Sequence, residues 1–329
     1  MFEAEPILWL QQIQAPWFDA LMRFMSWIGE AWFYMPAILV LLFGIRLRPG
    51  MGVLLALVLA VFATEGFKQG FGLPRPSEVD ARVLYEGESG RHLVADGAAG
   101  HFWGLPSGEA IAAKRATRDP SYGFVSGHTS AALALVLALA MFFRARATWI
   151  WGLVAAWPLL MGLSRMYLGR HFLADVIGGL AVGVAAAALA WALMERLQTP
   201  GAGARRSWLI ALLATCVLAA ASWVVPWIDP ARAGEVAGTL LCIGGLMWLG
   251  WPDDDASLAR RAGRVLCALL VGYGTTWLLE VAYVAAGWPE RHAAAFFFAA
   301  AGFVAALLGS VVVNLRLGLY RPSPGKARA

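Results

Sequence analysis

Charge is scarce in this 329-residue sequence: 14% of the residues are Asp, Glu, Lys or Arg, while 60% are hydrophobic. Soluble domains carry about 25% charged residues, so this shortage excludes an ordinary soluble domain. A mean hydropathy of +0.65 and sixteen tryptophans point to a polytopic membrane protein. Cysteine is also rare. Cys216, Cys242 and Cys267 each lie inside an apolar run, where a thiol usually serves as a small hydrophobe, so neither a disulfide nor a metal site is expected. No continuous basic patch exists. The net charge is +5, but the basic residues fall in short runs between apolar segments, which argues against nucleic acid as a partner. The basic region of a cleavable signal peptide is missing as well: Glu3 and Glu5 stand in its place, and no such peptide is expected.

What the sequence does have is apolar length. A membrane-crossing helix needs about 20 mostly apolar residues. Nine segments qualify, near 30–47, 51–70, 127–143, 147–165, 173–194, 207–228, 233–251, 264–286 and 292–316. The expectation is an all-α polytopic helical bundle of about nine transmembrane helices, with a long outer loop between the second and third, roughly 71–126. Residues 1–29 read as an amphipathic interfacial N-terminus broken by Pro16, residues 30–195 as a catalytic core, and residues 196–329 as additional helices. Basic residues mark the cytoplasmic side. Arg46 and Arg48, Arg144 and Arg146, Arg196, Arg205 and Arg206, Arg260, Arg261 and Arg264, and Arg316, Arg321, Lys326 and Arg328 follow alternate segments. That alternation predicts an N-terminus outside, a cytoplasmic C-terminus and, for a bacterial inner membrane, the connections near 71–126 and 166–172 on the periplasmic face.

Three polar stretches then fall on that outer face. "KQGFGLPRP" (68–76) carries Lys68 and Arg75, "FVSGHTS" (124–130) carries Ser126, Gly127 and His128, and "SRMYLGRHFLAD" (164–175) carries Arg165, His171 and Asp175. Three cations at one membrane edge repel one another unless an anion lies among them, and guanidinium forks match phosphate oxygens. Gly127 permits close backbone approach at the start of an apolar helix, where unpaired N–H groups favour anions. His171 and Asp175 are four residues apart and share a face if that segment is helical. A carboxylate so placed orients an imidazole able to act as nucleophile, and His128 from another helix can protonate a leaving oxygen. The chemistry that fits is phosphomonoester or diphosphate hydrolysis through a phosphohistidine.

These stretches resemble the type 2 phosphatidic acid phosphatase superfamily, which includes membrane lipid phosphatases, glucose-6-phosphatase and the vanadium haloperoxidases. Lys68, Arg75 and Pro76 match its first motif, Ser126, Gly127 and His128 its second, and Ser164, Arg165, His171 and Asp175 its third. Val125 stands where the family usually has proline, a change expected to alter only the turn before the helix. The resemblance spans roughly residues 30–195. It implies His171 as nucleophile, Asp175 as its partner and His128 as general acid. It implies Lys68, Arg75, Arg165 and the Ser126–Gly127 segment as phosphate ligands, with no metal and no cofactor.

Several tempting features read as bland. "LPSGEA" (105–110) contains Pro-Ser-Gly, but Glu109 follows and no apolar span does, so it reads as a loop turn. Asp253, Asp254 and Asp255 read as a solvated cytoplasmic loop, Gly178, Gly179 and Gly183 as a helix-packing stripe, and Glu65 as a neighbour of Lys68. His92, His101 and His292 read as solvated loop residues. The leading function is an integral membrane hydrolase of a lipid phosphate or diphosphate, such as undecaprenyl diphosphate, phosphatidylglycerophosphate or phosphatidic acid, with the bilayer and its lipid as partners. The alternatives are a phosphatase of a soluble phosphate ester and a non-enzymatic lipid transporter or scramblase. Transport would favour ionisable groups at mid-membrane, whereas these lie at one edge.

Overall fold

In a membrane the backbone must satisfy its own N–H and C=O groups, so apolar runs of this length become helices. The computed structural model describes residues 1–13, 15–85, 92–117, 121–197, 203–289 and 293–321. Its elements are α1 (Glu5–Gln11), α2 (Pro16–Ile28), α3 (Ala31–Leu39, continuing as a π-helical turn Val40–Ile45), α4 (Leu47–Phe71), α5 (Pro76–Val79), α6 (Gly108–Ala116) and α7 (Gly127–Phe142). There follow α8 (Thr148–Tyr167), α9 (Leu173–Leu197), α10 (Gly203–Val224), α11 (Pro230–Leu249), α12 (Leu258–Ala285) and α13 (Ala294–Arg316). The chain is a helical bundle, and every expected apolar segment coincides with a helix.

The expected number of crossings is another matter. Among the described residues, α4, α9, α10, α12 and α13 are long and apolar enough to cross a membrane, which makes five. Helices α2 and α3 together make a sixth if that pair, bent by 57° at its break, counts as one span. Helix α7 has only 16 residues, about 24 Å at 1.5 Å per residue, short of a typical hydrocarbon core.

Helix α7 packs against α4, α8 and α9, while α4 also packs on α11 and α11 on α10 and α13. One apolar core joins the two halves of the chain: Leu42, Met51 and Leu55 share it with Ala187, Ile243 and Leu246. The glycine stripe acts where α9 meets α7. A Cβ on Gly179 would fall 2.7 Å from the carbonyl oxygen of Ser126, and one on Gly183 would fall 2.8 Å from that of Ser130. These glycines therefore set the approach of α9 to the start of α7. Val125 is buried in the same seam, and a Cβ on Gly178 would lie 2.6 Å from its Cγ1.

The connection between α4 and α7 is more ordered than a structureless loop. Helix α5 forms directly after Arg75. The "LPSGEA" segment opens α6, with the Ser107 hydroxyl accepting from the N–H of Ala110 at 3.1 Å. That stretch is a helix N-cap rather than a loop turn. Lys326 and Arg328, which the topology argument used, lie outside the described residues, as does His292.

The seam yields a stability prediction. Gly179→Ala is expected to cost about 1–3 kcal/mol through overpacking and to lower the melting temperature of the detergent-purified protein. Gly274→Ala, where an added Cβ meets nothing within 4 Å, is the matched control. Equal melting temperatures for the two variants would contradict this account of the seam.

Candidate active site

The polar residues that the sequence singles out are delivered to one end of the bundle by five helix ends. Lys68 lies in the last turn of α4, Arg75 is the residue before α5, and Ser126, Gly127 and His128 open α7. Arg165 lies in the last turn of α8, and His171 and Asp175 flank the start of α9. The structure brings all eight together. Lys68, Arg75, Arg165 and His128 all lie close enough to His171 to act on its charge. A Cβ on Gly127 would be 3.9 Å from Lys68 Nζ.

His171 and Asp175 meet as their spacing requires. His171 Nδ1 lies 3.3 Å from Asp175 Oδ2, and that oxygen also accepts the backbone N–H of Phe172 at 2.9 Å. His171 is 2% exposed and Asp175 is fully buried. With Nδ1 engaged, Nε2 is the ring nitrogen left for chemistry. The backbone locks this corner to its neighbour, because the N–H of Ser126 donates to the carbonyl of Asp175 at 2.9 Å. Burial first, then Arg75, Arg165 and Lys68, hold the His171 imidazole well below its ordinary value of 6.5. Desolvation and nearby positive charge both disfavour the imidazolium.

The arginines are held more firmly than the sequence indicates. Arg75 Nε donates to the Ser121 carbonyl at 3.1 Å and Nη2 to the Ser121 hydroxyl at 2.7 Å. Its backbone N–H donates to Glu78 Oε2 at 2.7 Å, and Glu78 Oε1 is paired with Lys114 Nζ at 2.7 Å. Lys114 and Glu78 are both almost fully buried. Arg165 donates through Nη1 to the Ser26 hydroxyl, while its buried Nε has no acceptor among the described residues. The neighbouring Ser164 hydroxyl donates to the carbonyl of Met22 at 2.6 Å. On the open side, a cavity of about 770 Å³ is lined by Arg165, Arg170, Arg23 and Glu30 together with Phe24 and Trp27.

Sequence similarity points the same way. A family model described as the PAP2 superfamily matches residues 49–199. This part of the chain is similar to that superfamily. All eight residues lie within the PAP2 region. One relative is the lipid A 4'-phosphatase of Porphyromonas gingivalis, 45% identical over 69 residues, which are 20% of this chain and 28% of that protein. The alignment therefore spans little more than a quarter of the relative's length. Among solved structures, LpxE of Aquifex aeolicus superposes on 58% of this chain and 96% of its own, at 19% identity and a TM-score of 0.42.

Several contributors to this end of the bundle carry no motif. Ser26 and Met22 sit in the segment 1–29 assigned to the membrane interface, yet they hold Arg165 and Ser164 of the PAP2 region. Ser121, Glu78 and Lys114 belong to the α4–α7 connection. Nothing in the sequence set Glu78 apart from the other acids of that connection. Glu65, expected beside Lys68, lies close enough to act on its charge and also accepts from Gln69 Nε2 at 2.7 Å. Asp254, read as part of a solvated loop, is instead partly buried, and its carboxylate accepts the backbone N–H of Leu47 at 3.1 Å.

Two measurements check this geometry. His171 should remain neutral as pH falls through 6.5, because a lowered pKa keeps the deprotonated ring dominant until more acidic pH. NMR titration of histidine-labelled protein, with His171→Gln to assign the signal, tests it; a midpoint at the ordinary value would contradict it. Lys114→Met should cost about 3–5 kcal/mol by stranding the buried Glu78 carboxylate. The double variant with Glu78→Gln should recover most of that loss in a thermal melt, whereas additive losses would show the pair to be uncoupled.

Proposed function

We propose that this protein is an integral membrane phosphatase that hydrolyses a lipid phosphate or diphosphate through a phosphohistidine on His171. The observation that carries this reading is a buried imidazole oriented by Asp175 and ringed by Lys68, Arg75 and Arg165. That arrangement is costly for a fold to maintain without an anion to receive, and Arg165 presents a buried Nε with no acceptor among the described residues.

The proposed reaction has two displacements. His171 Nε2 attacks phosphorus, a P–N bond forms, and the P–O bond to the leaving group breaks as His128 gives that oxygen a proton. Water then attacks the phosphohistidine, His128 takes the proton, the P–N bond breaks and inorganic phosphate departs. Lys68, Arg75, Arg165 and the N–H group of Gly127 neutralise charge on the equatorial oxygens, which is where preorganised donors act most strongly, while the N–H of Ser126, engaged by the Asp175 carbonyl, fixes the turn that presents Gly127. Asp175 holds the ring in one tautomer and stabilises it as it becomes positive. These residues perform the electrostatic work within the chain's own side chains and backbone.

A lipid substrate is supported by the mouth of the site. Phe24 and Trp27 are both 53% exposed beside the arginines of the cavity. A headgroup can therefore enter while its tail stays in the bilayer. The name of the Porphyromonas relative adds a lipid A phosphate to the candidates undecaprenyl diphosphate, phosphatidylglycerophosphate and phosphatidic acid. Residues 30–195 form the catalytic core in this reading, with 1–29 lying against it and 196–329 bracing it. The alternation of basic connections supports a periplasmic site and a cytoplasmic C-terminus in a bacterial inner membrane.

Purified protein assayed for phosphate release across these lipids, with EDTA present, tests the proposal. Activity is expected to survive the chelator. His171→Ala should abolish release and leave no acid-labile phosphoprotein. Asp175→Asn should lose less, since it removes orientation but not the attacking atom. Near-normal turnover by His171→Ala would remove the phosphohistidine from the mechanism.

A further inference from the structure

The break between α2 and α3 delivers a carboxylate to the second histidine. Glu30 Oε1 lies 3.2 Å from His128 Nε2. The carboxylate is about half exposed and the imidazole 20% exposed. The turn that carries it is built to fit the ring: a Cβ on Gly29 would come within 2.5 Å of His128 Cδ2. It is also anchored. Met25 and Ile28, in the last turn of α2, are buried in one cluster with Ala132 of α7 and Met161 of α8. The bend of 57° thus has a defined seat against the two helices that carry His128 and Arg165.

We propose that Glu30 is the positioning residue of His128, holding its imidazole by Nε2 and supporting the proton that His128 must deliver. This rests on the phosphatase reading above. The need is electrostatic. Arg165 of α8 and Lys68 of α4 act on His128, Arg170 acts on Glu30, and Glu30 is the carboxylate that faces the ring. A general acid has to hold its proton among those cations, and the carboxylate offsets their repulsion. With Nε2 held, proton transfer to the leaving oxygen runs through Nδ1, on the opposite edge of the ring. The site would then contain two carboxylate–histidine pairs with different duties: Asp175 keeps His171 oriented to attack, and Glu30 keeps His128 able to donate. Residues 1–29 and the turn that follows become part of the reaction centre rather than an anchor beside it.

The test exploits the leaving group. An alkyl phosphate needs its departing oxygen protonated, while p-nitrophenyl phosphate departs as a stable anion and needs it far less. Wild type, Glu30→Gln, Glu30→Asp, Gly29→Ala and His128→Ala are compared on a short-chain phosphatidic acid and on p-nitrophenyl phosphate. Glu30→Gln should lose roughly a hundredfold in kcat on the lipid, in the range of general acid catalysis. It should lose at least tenfold less on the aryl ester, with KM little changed. Its alkaline limb in kcat should move to lower pH, because the imidazolium has lost its carboxylate. Glu30→Asp should recover part of the loss, and Gly29→Ala should show the same substrate asymmetry by displacing the ring. Glu30→Gln combined with His128→Ala should be no worse than His128→Ala alone, as expected of residues acting as a unit. Equal losses on both esters with an unchanged pH profile would overturn the proposal, as would wild-type rates in Glu30→Gln. If wild type turns over neither ester, the phosphatase reading fails and the role of Glu30 falls with it.

Discussion

Positive charge gathered at a nearly dry end of a helical bundle is the constraint on which the rest of the structure depends. Lys68, Arg75 and Arg165 share that end with two imidazoles, and like charges in a poorly solvated site repel strongly. Each cation has its own support. Lys68 lies in the last turn of α4, where the negative end of the helix dipole favours it. Arg75 is gripped through its side chain by Ser121 and through its backbone by Glu78. Arg165 leans on Ser26 of α2. The two histidines are each met by a carboxylate, Asp175 on His171 and Glu30 on His128. The close seam between α7 and α9 then fixes the distance between the two halves of the site, since Ser126 and Asp175 are joined directly through their backbones.

The parts of the site legible in the sequence are those in which chain spacing alone dictates geometry. His171 and Asp175 are one helical turn apart, so a helix at that point is enough to pair them. Gly127 and His128 open an apolar helix, so their place at its N-terminus follows from the run behind them. The alternation of basic connections brought Lys68, Arg165 and His171 to one end without any knowledge of packing. The fold class followed from composition, and helices formed where the apolar runs predicted them. Crossing number was less legible, because length and hydropathy do not say whether a short helix such as α7, or a bent pair such as α2 and α3, completes a passage.

The missing parts are contacts between residues far apart in sequence. Glu30 and His128 are separated by 98 positions, Ser26 and Arg165 by 139, Arg75 and Ser121 by 46, and Glu78 and Lys114 by 36. None has a spacing rule, and each depends on tertiary seating. Helix α2, read as part of an amphipathic interfacial segment, has Trp17, Phe24 and Trp27 exposed and Met22, Met25 and Ile28 buried. Periodicity gave no partner for the buried residues; that partner is α8 and the active-site arginine upon it. The α4–α7 connection escaped for the same reason. Its charges of both signs carry no spacing that pairs them, whereas Glu78 and Lys114 neutralise one another inside it.

The helices beyond the PAP2 region bear on the site through α4. Helix α11 packs along α4, and the Asp254 carboxylate caps the first turn of α4 at Leu47. Asp254 is itself fixed, because the fully buried Arg264 donates to its carbonyl at 2.9 Å, donates to that of Leu319 at 2.9 Å, and stacks over the Tyr320 ring at 3.9 Å. Residues from the middle and the end of the C-terminal half thus converge on the start of a helix whose far end, about 30 Å away at 1.5 Å per residue, carries Lys68. A helix is stiff along its axis, so its register is set wherever it is held. Securing α4 at Leu47 and along α11 leaves Lys68 little freedom to retreat from its cationic neighbours. The C-terminal half therefore holds α4 at the end opposite Lys68 and along its flank.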